Sequence, residues 1–480
     1  MNIMKTIKET VTKPSRPVRI AQFGQGNFLR AFADMMIDKA NEAGVFDGSV
    51  EIFQFHGAEH PAFAEQDCLY TVVTRGREEG KVVDTSRVVT AVRVLRHLPE
   101  ARDAFSACAA EATLTTILSN TTEAGIAWDG EARPGAENGN FPAYLTSFLY
   151  LRYRATDGDA DMAPVVLPCE LIEDNGRILQ GLVLRYAAEW ELSDGFSDWV
   201  KNACVFCNTL VDRIVTGYPK DGAASFAETL GYEDRLLTVC EPFALWVIET
   251  DRPERVRAAL PLEDAGLPVV ITDDVNPYRT RKVRILNGAH TSFVPAALLA
   301  GEEIVRDCMH APLIRPFIEQ CVYKEIIPAM SHILPAEELD AFADAVMERF
   351  DNPYIDHALW SIALNSVSKW KTRVLPSVMD SVKNGVVHDG LVPRGLCLSF
   401  AALCRLYALH ADDGVLRDDG AVLAFFAEHK EDSDLPDRFA SEAAFWGMDL
   451  HEIPSFAECA AELYRIILEN GIGAAIKAVI

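Results

Sequence analysis

The segment Lys282-Val283-Arg284-Ile285-Leu286-Asn287-Gly288-Ala289-His290 carries an amine, an amide and an imidazole at spacings of five and three residues. On an α-helix Asn287 and His290 share a face, and Lys282 falls within about a third of a turn of His290. A lysine able to give up a proton, beside two hydrogen-bond donors, suits proton transfer to and from a carbonyl oxygen. Near the start, Gly24-Gln25-Gly26 follows an apolar run, Val18–Phe23, and precedes a helix-like stretch from Asn27 to about Ala43. Such a turn lets backbone N–H groups approach a pyrophosphate at a helix N-terminus. Leu29 stands where a third glycine is usual, so an ordinary strand-to-helix turn is the alternative. Together the two motifs predict hydride transfer between a nicotinamide and a carbonyl or alcohol.

Lys282 sits among cations, Arg279, Arg281 and Arg284. Neighbouring positive charge favours the neutral amine that a general base needs, although a solvated basic helix would look the same. A second basic group, Lys369-Trp370-Lys371-Thr372-Arg373, places Lys369 and Arg373 four residues apart on one helical face. They could clamp a carboxylate, with His357 nearby in sequence. Ser119-Asn120-Thr121-Thr122 follows a strand candidate, where small polar residues could meet a nicotinamide ribose. Glu59, just past the second strand candidate, is a possible partner for the adenosine ribose, and no arginine lies there to hold a 2′-phosphate.

Composition bounds these readings. The chain has 480 residues, 49% hydrophobic and 24% charged, enough for two domains. Its net charge of −26 disfavours nucleic acid and anionic membrane as partners. The polar stretch Met1 to Val18 predicts no export signal, and no window reaches the roughly 18 apolar residues of a membrane span. Eleven scattered cysteines read as thiols in a reducing cytoplasm. Cys204 and Cys207 form a lone C-x-x-C with no second pair at zinc spacing, so buried thiols are expected and no metal.

Positioning these groups requires an α/β scaffold. Strand-like runs at Val18–Phe23, Val50 to Phe55, Thr113–Leu118, Pro164–Leu167 and Pro268–Ile271 alternate with helical patterns such as Arg177–Glu191. That alternation predicts a Rossmann-type N-terminal domain with a mostly parallel sheet, over 1–275. From 276 to 480 the pattern is mainly α-helical, broken at Pro312, Pro316, Pro328, Pro335, Pro353, Pro376 and Pro393. This second domain opens with the Lys282 segment and would carry catalysis and substrate. The longest loop-like stretch is Asp129 to Pro142.

These residues resemble the polyol-specific long-chain dehydrogenases, the mannitol dehydrogenase family. The likeness rests on K-V-R-I-L-N-G-A-H, on the G-x-G-x-F-x-R turn (Gly24, Gly26, Phe28, Arg30), and on Val211-Asp212-Arg213-Ile214, Glu241-Pro242-Phe243 and Asp273-Asp274-Val275. Further stretches, Ser119–Ile126, Pro168–Ile172, Thr209–Pro219 and Asn352–His357, draw it toward the branch that interconverts D-tagaturonate and D-altronate. The resemblance implies NAD, no catalytic metal, and a small sugar-acid substrate. It implies Lys282, Asn287 and His290 as catalytic residues. It also implies cofactor contacts from Ile20, Ala21, Gln22, Phe23, Gly24, Gln25, Gly26, Asn27, Phe28, Leu29, Arg30 and Ala31, with Asn120 and Thr121. Substrate contacts would come from Asn175, Arg279, His357, Lys369 and Arg373.

Departures from the family pattern are informative. The family's C-D-N-x-x-x-N-G becomes Cys169-Glu170-Leu171 with Asn175-Gly176, an acidic residue three before the lysine becomes Arg279, and an arginine eight before Lys369 becomes Ser361. Losing an acid and gaining Arg279 fits a carboxylate better than a neutral polyol. The alternatives are a fructuronate reductase or mannitol-type dehydrogenase of the same family, or a regulator that binds NAD without turnover.

Overall fold

The computed structural model describes residues 5–57, 60–98, 100–135, 139–386 and 392–480. Glu59 and part of the Asp129–Pro142 loop lie outside them. The chain divides into two compact units, 1–75 with 82–275, and 76–81 with 276–480.

The first unit is built on six parallel strands: β1 (Val18–Phe23), β2 (Ser49–Gln54), β3 (Val92–His97), β4 (Thr116–Ser119), β5 (Val165–Pro168) and β6 (Val205–Phe206). Their order across the sheet is β3-β2-β1-β4-β5-β6. This is the doubly wound dinucleotide order, in which the strand sequence reverses between β1 and β4. The central strands are mostly buried and rich in apolar residues because both faces are covered. Ile20, Ile52, Leu118 and Leu167 feed one core, while Ala21, Phe23, Phe53, Ile117 and Val166 feed the other. The period-two alternation of side chains makes this division. Phe23 stands against Phe53, Phe105, Phe141 and Phe148, which fastens β1 to its helical cover.

Strand positions agree with the apolar runs to within a few residues. The expected single helix from Asn27 is two, Asn27–Ala31 and Ala33–Glu42. The break is at Phe32, with φ −122° and ψ −87°, where its buried ring packs on Phe28 and Trp246. Pro268–Ile271 is not part of the parallel sheet; strand Val269–Thr272 belongs to a separate three-stranded sheet with Leu245–Glu249 and Asn208–Asp212. The loop from Asp129 ends early, because Asn140 caps helix Phe141–Ala155 through its side chain.

The second unit is helical among the described residues from 276 onward, apart from one isolated bridge between Ile304 and Ala358. Helix Gly288–Leu299 packs on Arg394–His410, which is buried along most of its length and packs in turn on Phe456–Asn470. Two prolines expected to break helices do not. Pro316 sits inside Ile314–Glu319, and Pro328 lies in the first turn of Ile327–Ala329. A π-turn, Gln320–Ile326, joins these two segments into one run. Its wider hydrogen-bonding pattern accommodates the ring and missing N–H of a proline that an α-turn rejects. No helix among the described residues is long and apolar enough to cross a membrane.

Candidate active site

Lys282 does not lie on an α-helix. Asn276–Arg281 is α-helical, Lys282–Asn287 is a π-turn, and Gly288–Leu299 resumes as α-helix. A π-turn bonds residue i to i+5, so Lys282 stacks one turn from Asn287 on the same side. An uninterrupted α-helix would hold them about 140° apart. Asn287 and His290, three apart, then continue that side. Lys282, Asn287 and His290 are each half-buried.

The basic cluster around Lys282 is corrected by the structure. Arg284 turns inward, donating to Ser377 Oγ at 2.9 Å and to Asp380 Oδ2 at 2.5 Å. Arg281 lies over the rings of Phe342 and Tyr278, with Glu338 at 4.0 Å. Arg279 donates to Asn276 Oδ1 at 2.7 Å in its own helix. The π-turn aims successive side chains to different sides, and two of the three arginines serve packing instead.

Cations gather around His290 from other elements. Its ring lies 4.3 Å from Phe350 and 5.5 Å from His357, centroid to centroid. Its Nε2 is enclosed without a hydrogen-bond partner. Burial holds the imidazole well below its usual range, and His357, Arg349, Arg373 and Lys369 add to the effect. A neutral imidazole with one unpartnered nitrogen is a group waiting for a ligand atom. Burial also lowers His357 and Arg373, and it lowers Lys369, helped by Arg373. Arg373 reaches Thr291 Oγ1 at 3.5 Å, one residue from His290. Lys369 Nζ donates to the Ile362 carbonyl at 3.0 Å. Helix Ser366–Arg373 is pinned by buried Trp370, whose Nε1 donates to Ser399 Oγ. The structure thus gathers His290, His357, Lys369 and Arg373, which are scattered over more than 80 residues of chain. It adds two that sequence reasoning missed, Arg349 and Phe350, which end helix Ala336–Phe350. Nothing in their local sequence distinguishes an arginine facing a site from one facing solvent.

In the first unit, the glycine turn is shaped by close approach. Gly24 has φ +107°, and a Cβ there would come within 2.7 Å of the Asn120 carbonyl oxygen. Only glycine fits such a cradle, which lies between the ends of β1 and β4. The Asn120 amide donates to the Cys169 carbonyl at 2.7 Å. Thr121 is held through its N–H and its hydroxyl on Glu170 Oε1, and Ser119 donates to Oε2. Burial raises the Glu170 carboxyl. Glu170 organises this loop, a role not expected from its place in the C-E-L departure.

The long cofactor stretch is narrowed. Ile20, Ala21, Gln22, Phe23, Leu29 and Ala31 are fully buried, and Arg30 nearly so. The Arg30 guanidinium is occupied by the Leu236 carbonyl and by Asn27 Oδ1. These side chains support the turn from beneath, and the accessible part of the stretch is Gly24, Gln25, Gly26, Asn27 and Phe28. Asn175 is also corrected. Fully buried, it donates to the carbonyls of Pro168, Glu170 and Thr209 and accepts from the N–H groups of Gly176 and Thr209. Its amide is saturated inside the fold and has no bond left for a substrate. Cys204 and Cys207 are buried free thiols, both pushed up by burial.

Comparison with known proteins agrees with this architecture. Residues 18–261 match the mannitol dehydrogenase Rossmann domain, and 274–468 match the mannitol dehydrogenase C-terminal domain. The chain is similar to the altronate oxidoreductase of Bacillus subtilis (strain 168), 43% identical over 96% of this chain and 95% of that one. That of Yersinia pestis bv. Antiqua (strain Nepal516) is 40% identical over 97% of each. In fold it is similar to a D-sorbitol dehydrogenase crystallised in substrate-free form, with TM-score 0.78 and 22% identity over 98% of this chain and 100% of that chain. A Pseudomonas fluorescens mannitol 2-dehydrogenase, solved as a ternary complex with NAD and D-mannitol, matches at TM-score 0.61 and 21% identity over 97% and 94%. With both of its parts matched along nearly their whole length, the chain belongs to the mannitol dehydrogenase family.

Proposed function

We propose that this protein is an NAD-dependent oxidoreductase that interconverts D-tagaturonate and D-altronate. The observation that carries the reading is the enclosed, unpartnered Nε2 of His290 beside Arg349, Arg373, Lys369 and His357. A concentration of cations in a chain of net charge −26 suits an anionic sugar acid. Relatives at about 40% identity that carry the name altronate oxidoreductase support the same substrate pair.

In the first unit, Gly24 to Phe28 would hold the cofactor's pyrophosphate, with Asn120 and Thr121 for its ribose. The cradle at Gly24 fits such a group, since a single added carbon would fill it. Bound NADH supplies the hydride. In the second unit, Asn287 and neutral His290 donate hydrogen bonds to the oxygen of the reacting carbonyl as it gains charge. Lys282 gives that oxygen its proton, and in the oxidative direction takes the alcohol proton back. Lys369 and Arg373 hold the carboxylate, with His357 beside them and Arg279 as a further candidate. Eleven free buried thiols suit the reducing cytoplasm.

NADH oxidation followed with D-tagaturonate, D-fructuronate and D-fructose tests the reading. D-Tagaturonate should give the highest kcat/KM. Equal or better turnover of fructose would replace it with a polyol dehydrogenase, and absence of turnover on all three would favour a nucleotide-binding regulator. Within this scheme Arg373→Ala should raise KM for the uronate by about tenfold or more, the value of one charge-assisted hydrogen bond. With a neutral ketose it should change little. Equal effects on both would take Arg373 out of the carboxylate site.

A further inference from the structure

The neighbouring strands Tyr70–Glu78 and Lys81–Val89 are joined by Glu79 and Gly80 alone. Both residues have positive φ, +51° and +75°, as a two-residue I′ hairpin turn requires. The tip of this hairpin, 76–81, belongs to the second unit, although it precedes the rest of that unit in sequence. There it meets the carboxyl end of helix Ala336–Phe350. The Glu79 N–H donates to Glu348 Oε2 at 3.1 Å, and the Gly80 N–H donates to Oε1 of the same carboxylate. Successive N–H groups in such a turn form a small concave site for an anion. Arg77 Nε stands 2.9 Å from Asp351 Oδ2 and donates to the Asp351 carbonyl at 3.1 Å. His310 Nε2 lies 2.8 Å from Oδ1 of that carboxylate.

A helix end needs partners of this kind. Its last carbonyls have none within the helix, and the last turn frays unless something holds it. Arg77 brings a donor to the residue that closes the helix, and a positive charge where the helix dipole favours one. The Glu348 carboxylate is disfavoured at that end, and the two turn N–H groups offset the cost. This last turn carries Arg349 and Phe350, both buried, and the Phe350 ring lies 4.3 Å from that of His290. The chain then runs on to His357, whose ring is 5.5 Å from His290. Arg306 fastens that stretch further along, donating to the Pro353 carbonyl at 2.9 Å and pairing with Asp356 at 2.7 Å.

We propose that the hairpin tip is a positioning element for the substrate site: Arg77 and the Glu79–Gly80 turn clamp the last turn of helix Ala336–Phe350 and so hold Phe350 against the His290 imidazole. Arg77 and Glu348 are positioning residues, acting through that turn. With the clamp open the turn frays, and the site is complete in only a fraction of molecules. Substrate binding restores the complete form, so the lost fraction shows as a raised KM while kcat is kept. The inference rests on the reading that His290 meets the substrate.

Steady-state kinetics test this, with whichever of D-tagaturonate, D-fructuronate and D-fructose is turned over fastest. Arg77→Ala should raise KM about fivefold at nearly constant kcat, the value of one partly exposed charge-assisted bond. Arg77→Lys, which keeps a cation beside Asp351, should recover most of that rise. Glu348→Gln keeps the shape of the side chain and weakens its hold on the two N–H groups, so its KM should move in the same direction. Asp84→Asn breaks the pair with Arg75 farther down the hairpin and should leave kcat and KM unchanged. A tip that only stabilised the fold would lower Tm and the active fraction, and hence kcat, with KM unmoved. That result in Arg77→Ala overturns the inference, as does an unmoved KM in Glu348→Gln where the alanine variant fails to fold. An equal rise of KM in Asp84→Asn overturns it too. Absence of turnover on all three substrates would instead overturn the proposed function, and the inference with it.

Discussion

Lys282→Ala should lower kcat by at least ~10²-fold, the low end of what a positioned general acid–base group contributes. NADH affinity should stay near that of the wild type, because the lysine lies in the second unit and the glycine turn in the first. The loss should fall on kcat and kcat/KM together, as expected for an interaction made in the transition state. Exogenous primary amines should recover part of the activity, since the missing group is a proton carrier of the same chemistry. The π-turn sharpens the expectation. It sets Lys282 one turn from Asn287, so amine and amide address the same oxygen. Near-wild-type kcat in Lys282→Ala would remove the lysine from its role.

Gly24→Ala should weaken NADH binding by ~10²-fold, about 2.7 kcal/mol. The added Cβ meets the Asn120 carbonyl at 2.7 Å and forces a side chain onto a backbone at φ +107°. Such strain costs about 1–3 kcal/mol. The turn must either keep it or move away from the position the cofactor needs. The apo protein should also lose several degrees in Tm, at roughly 2–4 °C per kcal/mol for a unit of this size. Gly26→Ala is the matching control. Gly26 has φ −60°, and a Cβ there would meet nothing within 4 Å, so Tm should hold. A weaker NADH Kd in Gly26→Ala at unchanged Tm would then report close approach of the cofactor itself. Unaltered NADH affinity in Gly24→Ala would place the dinucleotide elsewhere.

Much of this protein is legible from local pattern. A strand buried on both faces is rich in apolar residues, so β1, Val18–Phe23, is readable despite Arg19 and Gln22. The glycine turn, the amine–amide–imidazole spacing and the change to helical periodicity near residue 276 are likewise local features. Asn175 shows where such reasoning stops. Its type and place in a motif suggest a substrate contact, yet three carbonyls and two N–H groups, those of Thr209 on another strand among them, consume its amide. The same holds for Arg284, which could face a site or an acidic partner until Asp380 is brought beside it.

What the chain states in one dimension is therefore its periodicities and its chemistry-bearing residue types: a parallel α/β sheet, a helical second half, and the groups for moving a proton. Which of those groups work together was settled only on folding. The π-turn at Lys282–Asn287 changes which residues share a side, and i→i+5 bonding leaves no mark in hydrophobic spacing. The basic groups around His290 come from two separate helices and the loop before Ala358, so no local window contains them. Burial did the remainder. Its effect on His290 and Glu170 depends on how completely water is excluded, and that is a property of packing in three dimensions.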